Sequence, residues 1–166
     1  VKTHLTELAR HYHASAQKSK SSADYQEAVR WYRAYIASYP GDPETAQNNF
    51  LLAELLYEDS RFPEAAVEYE KVAYQYPNHA KAADAGYAAL LSYAGQEKRA
   101  AAAEQPALQR ASVESALRFA QAFPAARGIG LSAATFKRGD PIGVMRAGFA
   151  VSRGVLQARW MFREIG

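Results

Sequence analysis

The stretch of sequence that decides the fold is Glu44–Pro77, which reads ETAQNNFLLAELLYEDSRFPEAAVEYEKVAYQYP. Its apolar residues recur at the three- and four-residue spacings of an amphipathic helix, which predicts helices over 44–58 and 63–76. Pro63 fits the first turn of the second helix, and Pro77 ends it because proline disfavours helical geometry in the residue before it. Small residues mark where the two helices approach each other: Ala53, Ala65 and Ala66.

This helical pair recurs along the chain with a period of 37 residues. The corresponding residues are Tyr25 and Phe62, Ala28 and Ala65, Tyr32 and Tyr69, and Pro40 and Pro77. A third proline-ended segment closes at Pro124, 47 residues after Pro77. The pattern therefore predicts three helix pairs, at about residues 3–40, 44–77 and 80–124.

These features resemble the tetratricopeptide repeat family, whose pattern has a small residue in the first helix, then an aromatic, an alanine, a second aromatic and a closing proline. The longer period and the Tyr-Pro and Phe-Pro helix ends are similar to bacterial cell-envelope members, of the outer-membrane-assembly or Tol–Pal-associated lipoprotein type. Asn49 departs from the family pattern, which often has tryptophan there. The resemblance implies an all-α fold, a right-handed α-solenoid with a concave groove lined by the first helix of each pair.

The same resemblance implies which residues face that groove. They are Arg10, His13, Gln17 and Lys20 in repeat one, Gln47, Phe50, Glu54 and Tyr57 in repeat two, and Asp84, Tyr87 and Leu91 in repeat three. Such a surface suits an extended peptide or a partner helix, with aromatic anchors and orienting charges. For Phe50 and Tyr87 the alternative is that they only pack between repeats.

The third repeat is less regular than the first two. A helix is expected at about residues 80–93, with Gly95 as the residue that closes it. The alanine-rich stretch 96–105 is expected to extend a helix, because alanine favours helical conformation. A last amphipathic helix is expected at about 106–123.

The composition changes at about Gly128. Residues 1–127 hold 14 Lys or Arg against 15 Asp or Glu, whereas residues 128–166 hold six basic and two acidic residues. We expect residues 128–166 to form a helical cap or a partial fourth repeat, with a long helix over 142–165 that tolerates three glycines at about 1 kcal/mol each. The alternative is that this tail arose from a frame artefact and not from selection on the fold.

Motifs for catalysis or metal binding are weak. The chain has no cysteine, and its four histidines lack the spacing of a zinc site. Gly128, Gly130 and Ala133 match a dinucleotide fingerprint in letters but follow a predicted helix, whereas the fingerprint requires a strand. No apolar run is long enough to span a membrane.

The sequence thus predicts a scaffold that binds a protein or peptide, without enzymatic activity, cofactor, metal or nucleic acid. We expect it in the bacterial periplasm or at the outer-membrane periphery, with a cytoplasmic location possible. The alternative is a nucleic-acid-binding or enzyme-associated helical domain that uses the basic C-terminal segment. Three arginines there are spaced to form one loose helical stripe: Arg146, Arg153 and Arg159.

Overall fold

The computed structural model describes residues 2–76, 78–124, 144–152 and 155–163. The helices are α1 (Lys2–Ser19), α2 (Ser22–Ser38), α3 (Thr45–Glu58), α4 (Phe62–Gln75), α5 (Ala82–Arg99) and α6 (Gln105–Ala122), and the strands are β1 (Val144–Ser152) and β2 (Val155–Arg163). The helical repeat fold is confirmed. The helices predicted within Glu44–Pro77 differ from α3 and α4 by one residue at most at each end.

The helix ends follow the sequence signals. Pro63 lies in the first turn of α4. Tyr39, the residue directly after α2, donates its N–H to the Tyr35 carbonyl. Within each of the first two pairs the chain reverses through a residue in the left-handed conformation, Lys20 with φ of 53° and Ser60 with φ of 62°. These short turns return the chain so that α1 packs on α2 and α3 packs on α4, while α2 also packs on α3.

The core of these helices uses the residues with helical periodicity. Alanines that the sequence placed at the helix contacts, Ala53, Ala65 and Ala66, are at most 1% exposed. The aromatic rings beside them come mainly from the second helices, with Tyr32, Tyr35 and Tyr69 almost fully buried. The side chains at the 37-residue period therefore fill equivalent positions in successive helix pairs.

Asp42 organises the junction between the first two pairs. Its carboxylate accepts hydrogen bonds from the Lys2 ammonium at 2.6 Å, the Tyr35 hydroxyl at 3.0 Å and the Glu44 backbone N–H at 2.9 Å. These donors, the Lys2 ammonium foremost, hold the pKa of Asp42 below its usual value. The start of α1 is thereby joined to the turn that precedes α3.

Asn49, which departs from the family pattern, has a polar role in the core. Its side-chain amide donates to the Glu68 carboxylate at 2.8 Å, and both residues are buried. Lys71 supplies the opposite charge to Glu68 at 2.9 Å. The Asn49 amide and the Lys71 ammonium together provide hydrogen bonds to a carboxylate that is largely removed from solvent.

Gly95 does not end a helix as the sequence predicted, because α5 continues through it to Arg99. A β-carbon at position 95 would lie 2.9 Å from three ring carbons of Phe62. The glycine therefore allows the Phe62 ring to pack closely against α5. In exchange, a glycine within a helix makes that helix less stable than alanine would. The helix extension expected over 96–105 is correct only as far as Arg99, since residues 100–104 are not helical and α6 begins at Gln105.

The helix expected over residues 142–165 is wrong. Residues Val144–Ser152 and Val155–Arg163 form an antiparallel pair of strands whose closing residues are Ser152 and Val155. β-branched and aromatic residues favour strands, and a two-residue connection that ends in glycine favours a hairpin. Three glycines add about 3 kcal/mol against a single helix, at about 1 kcal/mol each. The predicted domain boundary at 127/128 lies outside the described residues.

The chain divides into two compact units, Val1–Gly95 and Gln96–Gly166. The first contains α1 to α4 and most of α5, and the second contains the end of α5, helix α6 and the hairpin. None of the described helices is long and apolar enough to cross a membrane.

Candidate protein-interaction surface

Side chains from α1, α3 and α5 form the candidate site, which lies within the first unit. We call the set His13, Gln17, Phe50, Glu54, Tyr57, Glu58 and Tyr87 the aromatic–acidic surface. The first helix of each pair contributes to it, and all seven side chains are half-buried or exposed. Beneath them lie buried tyrosines of the second helices, Tyr25, Tyr32 and Tyr69.

Rings pack against one another at the centre of this surface. Tyr57 contacts Phe62 with ring centroids 5.1 Å apart and Tyr69 at 6.5 Å, both edge to face. Phe50 contacts Tyr69 at 5.9 Å in the same manner. Phe50 and Tyr57 therefore contact rings of their own repeat and remain partly accessible, and whether Phe50 and Tyr87 bind a partner or only pack between repeats stays a prediction.

The two carboxylates of the surface are held by neutral donors. Glu54 accepts a hydrogen bond of 2.5 Å from the Tyr69 hydroxyl. Glu58 accepts one of 3.0 Å from the Gln17 amide and a longer one of 3.4 Å from the Tyr25 hydroxyl. These hydrogen bonds orient both carboxylates without neutralising their charge.

Burial lowers the pKa of His13, and the carboxylates of Glu58 and Glu54 oppose that shift. The Nδ1 atom of His13 lies 3.0 Å from the hydroxyl of Tyr32, whose own pKa burial raises to about 12. His13 is accordingly neutral at pH 7, and its ring stands edge to face on Tyr32. The histidine thus adds polarity but no charge to the surface.

Helix α5 contributes Tyr87 to the surface. Burial raises the pKa of Tyr87, and the Tyr57 hydroxyl adds a smaller electrostatic contribution in the same direction. Lys81 pairs with Asp84 at 2.9 Å, and that hydrogen bond raises the pKa of Lys81, with a smaller contribution from Glu54. The Lys81 ammonium, which precedes α5, is therefore already paired with a carboxylate.

The remaining predicted groove residues lie around this centre. Arg10 is exposed on α1 and acts electrostatically on Tyr32, and Gln47 is exposed one turn before Phe50. Leu91 is half-buried one turn after Tyr87. Lys20 is exposed but lies in the turn after α1, so it is not on the helical face expected for it. Whether these residues bind a partner stays a prediction.

Sequence reasoning missed Glu58 and Lys81 as members of this region. Glu58 lies four residues after Glu54, so the two carboxylates share one helical face. Its hydrogen bonds reach Gln17 and Tyr25, which are 41 and 33 residues away, and no spacing rule relates them. Among the described residues, no group of three or more His, Asp or Glu side chains is arranged to hold a metal ion.

A model of the outer membrane lipoprotein family YfiO matches residues 7–127 of the chain. This match covers well over half of the sequence. The chain belongs to the YfiO family of outer membrane lipoproteins. The match places this chain among tetratricopeptide-like proteins of the cell envelope, as the repeat pattern predicted, whereas the narrower Tol–Pal-associated type stays a prediction.

The curated relatives are similar to this chain over a short segment only. The chain is 64% identical over 56 residues to the UDP-N-acetylglucosamine–N-acetylmuramyl-(pentapeptide) pyrophosphoryl-undecaprenol N-acetylglucosamine transferase of Phenylobacterium zucineum, which is 34% of this chain and 15% of the enzyme. It is 47% identical over 47 residues to the enzyme of the same name from Caulobacter vibrioides, which is 28% of this chain and 13% of that enzyme. The chain thus spans less than a sixth of either relative.

Proposed function

We propose that this YfiO-family chain is a non-catalytic scaffold that binds a polypeptide on the aromatic–acidic surface, in the assembly of the bacterial outer membrane. The observation that carries the proposal is the convergence of Phe50, Tyr57 and Tyr87 with Glu54 and Glu58 on the first helices of the repeats. Partly exposed aromatic rings supply binding energy at protein interfaces, and adjacent charges set orientation and association rate.

The family supports the proposed place of action. Its members are described as outer membrane lipoproteins, so we place this chain in the periplasm or at the outer-membrane periphery. Within that setting, the assembly of other envelope proteins fits an open helical repeat surface better than a Tol–Pal-associated role, because an extended groove suits an extended client segment.

In the test, the purified chain is immobilised on a support and exposed to a detergent-solubilised envelope fraction. The variants are Tyr57→Ala, Glu54→Lys and the control Glu27→Lys, whose carboxylate lies on α2 and pairs only loosely with Arg30 at 3.5 Å. A polypeptide retained by the wild type and the control, and lost with Tyr57→Ala, supports the proposal. Retention that is equal for all variants contradicts it.

Calorimetry and stopped-flow kinetics then measure the affinity and the association rate of the isolated partner with each variant. Tyr57→Ala is expected to weaken binding about thirtyfold, or roughly 2 kcal/mol, as loss of an aromatic anchor does. Glu54→Lys is expected chiefly to slow association, and less so at high salt, because such charges act through a screened field. If Glu27→Lys weakened binding as much as Tyr57→Ala while both stayed folded, the surface would be assigned wrongly.

A second candidate function rests on the 64% identity over 56 residues to a glycosyltransferase. We propose as this alternative that the chain acts beside an N-acetylglucosamine transferase of that kind, through the segment that they share. Transfer of labelled N-acetylglucosamine by the complete enzyme, measured with and without this chain, tests the idea. An unchanged rate at saturating chain concentration would reject it.

The nucleic-acid alternative loses one of its arguments. Arg146 lies in β1 and Arg159 in β2, so the two arginines do not share the helical stripe on which the alternative depended. Binding of RNA or DNA with a steep salt dependence would revive it.

A further inference from the structure

Glu54 and Glu58 differ from three carboxylates of the first unit that form ion pairs. Glu64 pairs with Arg33 and Arg61, Glu68 with Lys71, and Asp42 with Lys2. Among the described residues, neither Glu54 nor Glu58 forms an ion pair with a lysine, arginine or histidine. The surface therefore carries two negative charges one helical turn apart that the described residues do not neutralise.

Several surrounding groups favour a cation over an anion at this place. Lys81 is engaged by Asp84, and burial keeps His13 neutral at pH 7. The ring of Tyr57 contacts Tyr69, whose hydroxyl donates to Glu54, and aromatic faces attract ammonium and guanidinium groups. Carboxylates and aromatic faces together are what a lysine or arginine side chain requires for recognition.

We infer that the aromatic–acidic surface is specific for a polypeptide segment in which a lysine or arginine is flanked by apolar residues. The basic side chain lies against Glu54 and Glu58, and the apolar neighbours lie on Phe50, Tyr57 and Tyr87. Charge complementarity selects this occupant, because an acidic segment would face two unpaired carboxylates. The inference rests on the proposed function and adds the chemistry of the partner.

The probe is a displayed library of random nine-residue peptides, selected against the full chain and sequenced. In the wild type, lysine or arginine is expected to be enriched about tenfold or more at one position, between enriched apolar positions. The double variant Glu54→Gln/Glu58→Gln still accepts hydrogen bonds from Tyr69, Gln17 and Tyr25, so it removes charge while preserving those contacts. It is expected to abolish the basic enrichment and to leave the apolar enrichment in place.

The control Glu27→Gln removes one carboxylate from the outward side of α2 and is expected to keep the full basic enrichment. Enrichment that the control reduces as much as the double variant would reflect net charge alone and overturn the inference. Selection of apolar segments without a basic position, lost with Tyr57→Ala, would also overturn it but leave the proposed function standing. Failure to enrich any segment above the bare support would overturn both.

One selected peptide that contains lysine then tests whether the Glu54 and Glu58 carboxylates recognise the lysine charge. Replacing its lysine by norleucine keeps the aliphatic length and removes the charge, and is expected to weaken binding to the wild type about tenfold. The same replacement is expected to have no effect on binding to Glu54→Gln/Glu58→Gln. If the wild type were a dimer that this double variant dissociated, a second copy of the chain would be the occupant and the inference would be wrong.

Discussion

Ala65 lies at the contact between α3 and α4, where its side chain is fully buried. We expect Ala65→Trp to lower the free energy of unfolding by about 1–3 kcal/mol or more, because a packed helix contact cannot accept the added volume without shifting. Val67, on the same helix, is 53% exposed and provides a matched control. Val67→Trp is expected to change stability by less than about 0.5 kcal/mol. Urea denaturation measures both, and equal effects would mean that the helix contact is assigned wrongly.

His13 links stability to pH. Its folded-state pKa is lowered from 6.5, so the unfolded chain binds a proton more readily than the folded chain. The stability that neutral His13 contributes is therefore present above pH 6.5 and is lost as the pH falls from 6.5 through the lower folded-state pKa. We expect the free energy of unfolding to fall more steeply below pH 6.5 in the wild type than in His13→Gln. His11→Gln, at an exposed position of the same helix, is the matched control, and equal slopes in all three proteins would contradict the assignment.

Some residue positions could be read from the sequence and others could not. The 37-residue period located Ala65, Tyr32 and Tyr69 in the core, because helical periodicity and small-residue contacts are local properties. The pair of Asn49 with Glu68 was not predicted, since a buried amide and carboxylate 19 residues apart leave no periodic signal. The groove register gave the aromatic residues of the surface but not Glu58, whose partners lie on other helices.

At the scale of single elements, the substitution of Gly95 by alanine is expected to change stability in the direction opposite to the usual one. Replacing a glycine within a helix by alanine usually stabilises the helix by about 1 kcal/mol. Here the new β-carbon would lie 2.9 Å from the Phe62 ring, including its Cγ atom, so Gly95→Ala is expected to destabilise the protein. In a Phe62→Leu background the same change should regain its ordinary stabilising sign. A double-mutant cycle by urea denaturation measures the coupling, and a cycle with no coupling would contradict the close approach.

The elements themselves were predictable to different degrees. The two helices of Glu44–Pro77 were found to within one residue at each end, because prolines and turn residues mark their ends and amphipathic periodicity marks their faces. The continuation of α5 past Gly95 was missed because a glycine that closes a helix and one that admits a ring look alike in sequence. The hairpin was missed because residues 142–165 were interpreted as one helix, although their β-branched and aromatic residues favour strands.

At the scale of the whole molecule, we expect the chain truncated after Arg127 to keep its helices. The first compact unit ends at Gly95, and repeat arrays are stabilised mainly by contacts between neighbouring repeats. The truncation removes Trp160 and leaves Trp31 in α2 as the only tryptophan, so its fluorescence reports the unfolding of the first unit. The expected result is a helical circular dichroism spectrum and an unchanged urea midpoint for Trp31. A coil spectrum would show that residues 128–166 are required for the helical array.

The contact of Lys2 with Asp42 also determines how the chain should respond to mechanical force. Tension applied to the N-terminus reaches this contact before it reaches the interface of α1 with α2, so α1 is not expected to peel away alone. The first extension step should release about 40 residues, or roughly 14 nm of contour length at ~3.5 Å per residue, and not the roughly 6 nm of α1 alone. Because the ion pair is accessible to solvent, high salt should weaken it and split that step in two.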